Sequence, residues 1–96
     1  MPFVWSRKAR EEYLDAIRWY ESASDGLGQR FSRLVGTVLD QIAENPDRFP
    51  FSPYGARHAQ IKNFPYCAHY IQPKRETVIV AVFHDKRDPE ELNHRY

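Results

Sequence analysis

Apolar residues recur at helical spacing in two successive stretches of the first half of the chain. Ser6 is a favourable helix N-cap, and the pattern that follows predicts a helix from about Arg7 to Ser22. A second helix is predicted from about Gln29 to Glu44, where Pro46 prevents its continuation. The short apolar segment Pro2–Trp5 predicts a brief strand before both helices. Two helices joined by a short glycine-bearing loop form an antiparallel hairpin.

The second half of the chain predicts strands instead of helices. Its most distinctive segment is Val78–Phe83, a mostly β-branched run that is typical of a strand buried on both faces. At Asp88, an N-cap aspartate followed by a proline predicts the start of a final short helix. We expect three strands, over about Arg57–Ile61, about Tyr66–Ile71 and Thr77–Phe83, with a polar hairpin turn at Gln72–Glu76 between the last two.

The order of these elements predicts an α+β fold: an N-terminal strand, an antiparallel two-helix hairpin and then a three-stranded, mainly antiparallel sheet. The 96 residues suffice for one core, so we expect a single domain over residues 1–96. Gly36 lies within the second helix, where glycine costs about 1 kcal/mol relative to alanine. Either close approach of the first helix or a harmless surface position would explain this glycine.

The composition of the chain limits the kinds of binding site and chemistry that we expect of it. The formal net charge is +1, so a nucleic-acid surface would require local clustering of arginines. The single cysteine, Cys67, cannot form an internal disulfide, and its place in a predicted strand predicts a small buried core residue. Without a signal peptide or an apolar stretch of about 20 residues, we expect a soluble cytoplasmic protein. His58, His69 and His94 show no ligand spacing, so neither a metal site nor a cofactor is expected.

Four segments of the chain carry a recognisable combination of residues in a fixed order. They are Ala9–Tyr20 with its closing Trp19-Tyr20, Ile42–Pro46 with Phe49-Pro50, Arg57 with Phe64–Tyr66 and Tyr70, and Val82–Pro89 with its hydrophobic–His–x–x–Arg–Asp sequence. Together they resemble the RelE/ParE superfamily of bacterial type II toxins, particularly its ParE-like, plasmid-stabilisation branch. The likeness spans essentially the whole chain.

The resemblance implies one of two activities. RelE-like proteins cleave messenger RNA in the ribosomal A site, whereas ParE-like proteins poison DNA gyrase without recognised bond-breaking residues. Cleavage would require a proton-transfer group, for which His84 is the candidate. It would also require cations for the phosphate, for which Arg57 and Arg87 are the candidates. Tyr96 could contribute only if the tail folds back onto the sheet.

The distribution of charge favours the ParE-like activity. Within the predicted strands and their edges only Lys62 supplements Arg57, and the segment after Asp88 begins with the acidic residues Glu90 and Glu91. A net charge near zero also predicts weak attraction to phosphate. We therefore expect a toxin that arrests growth by inhibiting DNA gyrase. The alternatives are a ribosome-dependent mRNA endonuclease and an inactive member that only binds its antitoxin.

A protein partner also follows from the resemblance, because toxins of this kind are encoded beside an antitoxin whose tail wraps the toxin. Leu14, Trp19 and Leu27 lie beside the apolar stripes and are candidates for this contact, or else they widen the core. Arg57 and Arg87 could bind the partner or form salt bridges on the sheet. His84 could instead cap backbone carbonyls or pair with Asp85 or Asp88. We expect a toxin–antitoxin hetero-oligomer.

Overall fold

The computed structural model describes residues 3–96, so Pro2 of the predicted first strand lies outside the described residues. The described chain confirms the predicted α+β order of elements. Its strands are β1 (Val4–Trp5), β2 (Arg57–Gln60), β3 (Tyr66–Ile71) and β4 (Val78–His84), its α-helices are α1 (Arg7–Ala23) and α2 (Leu27–Glu44), and short 3₁₀ helices cover Pro46–Arg48, Pro73–Arg75 and Pro89–His94.

The four strands form one sheet in the order β1-β4-β3-β2. β1 runs parallel to β4, and the remaining pairs are antiparallel. The pairing of β3 with β4 shifts register between His69 and Tyr70: His69 lies opposite Ala81, whereas Tyr70 lies opposite Ile79. Val80 is therefore an extra residue on β4, as in a β-bulge.

The two helices cover one face of the sheet, which we call the inner face. Aromatic rings join helices and strands there: Tyr20 and Phe31 each make edge-to-face contacts with Phe64, with ring centroids 4.8 and 5.1 Å apart. Such pairs add about 0.5–1.5 kcal/mol beyond the area that they bury. The inner core also contains Ala9, Ala16, Val35, Val38, Ile42, Ala59, Ile61, Ala68, Tyr70, Ile79 and Val82.

The C-terminal segment covers the opposite, outer face of the sheet. Leu92 is fully buried there in a cluster with Val80, Ala81 and Phe83. The bulge at Val80 interrupts the alternation of β4, so two successive residues belong to this outer cluster. The run Val78–Phe83 is consequently covered on both faces, as its composition predicts.

Side chains accept hydrogen bonds from backbone N–H groups at the starts of both α-helices. The Ser6 Oγ accepts a hydrogen bond from the Ala9 N–H (3.1 Å), which confirms the predicted cap of α1. The α2 helix begins at Leu27, two residues before the predicted start. The carboxylate of Glu21 accepts hydrogen bonds from the N–H groups of Gly26 (2.8 Å) and Gly28 (3.0 Å), which would otherwise be free at this helix start.

Candidate functional site

An open cleft of about 570 Å³ lies between α1 and the ends of β3 and β4 that meet at Tyr66 and His84. Its volume falls within the ~300–1,000 Å³ of typical ligand sites. The helix contributes residues at spacings of three and four, which place them on one side of α1. The lining consists of Glu12, Asp15, Ala16, Trp19, Tyr20, Pro65, Tyr66, Val82, His84 and Arg87.

Four rings follow one another along the cleft in nearly perpendicular pairs. The centroids of Trp19 and Tyr20 are 5.2 Å apart, and those of Tyr20 and Tyr66 are 5.9 Å apart. Tyr66 in turn lies 5.2 Å from the imidazole of His84. Trp19 is 65% exposed, far more than expected of a residue that serves only the core. The cleft therefore presents an aromatic wall to solvent.

His84 ends β4 directly opposite Tyr66. Its Nδ1 accepts a hydrogen bond from the Lys86 N–H (3.1 Å), in place of the expected contact to a carbonyl or an aspartate. Because Nδ1 accepts, the neutral ring carries its proton on Nε2. Burial raises the pKa of Tyr66 and is the largest cause of the raised pKa of Tyr20. Both phenols therefore keep their protons at neutral pH.

Arg87 also lines the cleft, but carboxylates already engage its guanidinium. Nη1 lies 2.8 Å from Oε2 of Glu12, and Nη2 donates to Oε1 of Glu91 at 3.1 Å. The guanidinium also lies over the ring of Phe83, 4.4 Å from its centroid. Hydrogen bonding to Glu91 is the main cause of the raised pKa of Arg87, and the same bond lowers the pKa of Glu91.

Glu12 and Arg95 cover the edge of β4 where the two-residue β1 ends. Oε1 of Glu12 accepts a hydrogen bond from the Val82 N–H (3.1 Å), and Nη1 of Arg95 donates to the Val80 carbonyl (3.0 Å). Neither residue was predicted from the sequence. The spacing of Glu12 to Ala16 and Trp19 would have placed it on the cleft side of α1. No local pattern indicates Arg95, since its partner lies 83 positions away.

The structure does not bring the three catalytic candidates together. Arg57 pairs with Tyr70 while His84 pairs with Tyr66, so the two lie at opposite ends of β3. Nη1 of Arg57 donates to the carbonyls of Asp47 (3.1 Å) and Phe49 (2.6 Å), and the guanidinium stacks on Phe51, 4.0 Å from the ring centroid. Through these contacts Arg57 holds the loop of residues 46–55 that precedes β2, which we call the aromatic loop.

The predicted partner-binding residues are also separated. Trp19 faces the cleft, whereas Leu14, 39% exposed, borders a different recess with Trp5 on the other side of α1. Leu27 is half-buried and packs against the inner core, which is the alternative expected for it. Tyr96 folds back, but its hydroxyl donates to the Tyr54 carbonyl beside the outer face and not into the cleft.

The outer face holds a small polar cluster. Cys67 is only half-buried and its thiol contacts Oε1 of Gln60 at 3.2 Å, so the prediction of a buried core residue is wrong. Its side chain belongs to the face opposite the helices. Burial raises the pKa of the thiol to about 12, so it is not a ready nucleophile. Within residues 3–96, no three His, Cys, Asp or Glu side chains are placed to hold a metal ion.

Comparison with known families is consistent with this architecture. The model of a family described as the ParE toxin of the type II toxin–antitoxin system parDE matches residues 3–89. The match includes both α-helices, all four strands and the segment with His84 and Arg87. Comparison with curated proteins gave no match. No helix in the described part of the chain is long and apolar enough to cross a membrane. The family implies an antitoxin partner, and the chain belongs to the ParE toxins of type II toxin–antitoxin systems.

Proposed function

We propose that this toxin arrests bacterial growth by binding and inhibiting its target, with DNA gyrase as the first candidate, and that it does not cleave RNA. A cognate antitoxin in the same cytoplasm would neutralise it, as in plasmid stabilisation. The observation that carries the proposal is the state of Arg87. All three nitrogens of its guanidinium approach carboxylate oxygens of Glu12 or Glu91.

These contacts oppose phosphate binding in the cleft. Glu12 and Asp15 also line it, so a phosphate would meet two carboxylates beside one arginine that is already paired. To bind the phosphate, Arg87 would have to give up charge-assisted hydrogen bonds, which are about twice as strong as neutral ones. The electrostatics of the cleft therefore favour a protein target over an RNA backbone.

Among the described residues that line the cleft, Arg87 is the only arginine or lysine that could contact the reacting phosphate. Arg57, the other candidate, lies at the far end of β3 and donates to two backbone carbonyls. The two tyrosines of the cleft retain their protons at neutral pH, so they could donate a proton but not remove one from a 2′-hydroxyl. Of the residues predicted to take part in cleavage, His84 is the one left for that role.

One observation favours the alternative function, a ribosome-dependent mRNA endonuclease. His84, Tyr66 and Arg87 do line the same cleft, and the neutral His84 ring carries a proton on Nε2. Release of Arg87 from Glu91 on the ribosome would free part of its guanidinium for a phosphate. The alternative thus depends on a rearrangement of the final 3₁₀ helix.

Substitution of His84 separates the two functions. We expect His84→Gln to arrest growing bacteria as the unchanged protein does, since binding does not require proton transfer. His94→Gln, at an exposed position outside the cleft, is the matched control. Loss of arrest by folded His84→Gln alone, together with cleavage of messenger RNA by the unchanged protein, would support the endonuclease. Absence of arrest with the unchanged protein would indicate an inactive member that only binds its antitoxin.

A further inference from the structure

We infer that the cleft between α1 and the ends of β3 and β4 takes an arginine or lysine side chain of the antitoxin. The inference rests on the proposed neutralisation by an antitoxin and adds the chemistry of the recognised group. It follows from two properties of the cleft, which are its aromatic wall and its balance of charge.

The aromatic wall suits a cation. Tyr20 forms edge-to-face pairs with both Trp19 and Tyr66, so the ring planes change direction along the wall. Tyr20 itself is buried, which leaves Trp19 and the half-buried Tyr66 as the rings that a ligand can reach. A positive group within about 6 Å of a ring centroid is attracted by the electron-rich face, most strongly by that of tryptophan. The exposure of Trp19 leaves its ring accessible to a partner.

The charges that line the cleft leave an excess of negative charge. Two carboxylates, Glu12 and Asp15, and one guanidinium, Arg87, belong to the lining. Glu12 is ion-paired both with Arg87 and with Arg95, which does not line the cleft. Asp15 remains, and its side chain is 77% exposed. Among the described residues it has one ion pair, to the exposed Arg18 at 3.7 Å, and a pair of this kind contributes little.

The aromatic wall and the Asp15 carboxylate together favour some ligand side chains over others. An acidic group would be repelled by Asp15, and a purely apolar one would displace water from this carboxylate without replacing its contacts. Arginine and lysine place an apolar stem along the rings and a positive head beside the carboxylate. Arginine suits the site best, because its planar guanidinium stacks on aromatic faces and hydrogen-bonds to carboxylates.

The antitoxin is the occupant to which we commit. The family to which the chain belongs implies an antitoxin partner, and the charge of the cleft complements a basic residue of its tail. A basic residue of the growth-arrest target is the competing occupant. The two are distinguished by the second experiment below.

The first experiment titrates the purified full-length protein with two hexapeptides that differ only in arginine or its uncharged isostere citrulline. We expect the arginine peptide to shift the indole N–H signal of Trp19 saturably, with the indole of Trp5 as an internal control. Asp15→Asn should weaken binding about two- to fivefold, and Asp40→Asn, an exposed carboxylate on α2, should not change it. Equal binding of the citrulline peptide, or no binding, would overturn the inference.

The second experiment is a double-mutant cycle with the antitoxin co-expressed with the toxin. Trp19→Ala is combined with alanine at each arginine and lysine of the antitoxin tail, and affinity is measured for every pair. One basic residue should show coupling of about three- to tenfold with Trp19. If no residue couples, the inference is wrong. Loss of growth arrest in Trp19→Ala would then assign the cleft to the target. Growth arrest by the unchanged toxin tests the proposed function separately.

Discussion

Oε2 of Glu12 lies 2.7 Å from Nη2 of Arg95, an ion pair that joins α1 to the last turn of the chain. The side chains are 13% and 7% exposed, so both charges are largely removed from water. The same carboxylate accepts a hydrogen bond from the Val82 N–H at the edge of β4 and forms an ion pair with Arg87. Glu12 is therefore the residue through which the helix, the sheet edge and the C-terminal segment are connected.

Substitution Glu12→Gln should lower the free energy of unfolding by about 3 kcal/mol, because it leaves a buried arginine without its counter-charge. Urea unfolding followed by circular dichroism measures the change. Glu11→Gln is the matched control, since Glu11 forms only an exposed pair with Arg7 at 3.3 Å and should change stability by about 0–1 kcal/mol. Equal effects of the two substitutions would contradict the role given to Glu12.

The two glycines of α2 should respond oppositely to alanine. A Cβ at Gly28 would clash with the carbonyl oxygen of Ile17 and lie 2.9 Å from Cβ of Glu21. Gly28→Ala should therefore lower the free energy of unfolding by about 2 kcal/mol. Gly36 has open space around it, so Gly36→Ala should raise stability by up to about 1 kcal/mol. Thermal unfolding of both variants tests the prediction, which a stable Gly28→Ala would refute.

Acid should destabilise the fold through His69. Burial, with a smaller contribution from His58, lowers the pKa of His69 to about 4. Its Nδ1 is buried without a hydrogen-bond partner among the described residues. Between pH 6.5 and 4 the unfolded chain binds a proton at this residue that the folded chain does not. Stability is thus retained above pH 6.5 and should fall by about 2 kcal/mol at pH 5 from this residue alone.

His69→Leu should flatten this pH dependence, whatever its effect on stability at neutral pH. His94→Asn, at an exposed position, should leave it intact. Denaturant midpoints measured at intervals between pH 7.5 and 5 give the comparison. The same slope in all three proteins would show that His69 is not the cause.

Arg57→Met should loosen the aromatic loop before β2. The substitution removes hydrogen bonds to the carbonyls of Asp47 and Phe49 and the stacking on Phe51, so we expect a loss of about 1–2 kcal/mol. Hydrogen exchange should increase in the loop and at the start of β2. The control is Arg33→Met, an exposed position on α2 whose effect should stay within about 0.5 kcal/mol.

The sequence predicted elements with strong local periodicity and caps more accurately than contacts between distant segments. The apolar stripes predicted both helices, and Ser6 and Asp88 cap helices as expected. Cys67 was misplaced because alternation along a strand does not reveal which face meets the helices. The start of α2 was misjudged because its cap, Glu21, comes from the preceding helix.

The candidate site was predicted in part. The end of β4 and the segment that follows it indicated His84 and Arg87, and both line the cleft. Trp19 faces the same cleft, but periodicity alone grouped it with Leu14 and Leu27, which lie elsewhere. The pairing of Arg87 with Glu12 depends on the packing of α1 against β4, which no local pattern specifies.

The most direct test of the proposed function follows supercoiling of a reporter plasmid and the integrity of messenger RNA in one culture after the toxin is induced. We predict relaxed or cleaved plasmid while messages remain intact, which would indicate inhibition of DNA gyrase by binding. Rapid message cleavage in phase with codons, with normal supercoiling, would contradict the proposal and make His84 and Arg87 catalytic residues.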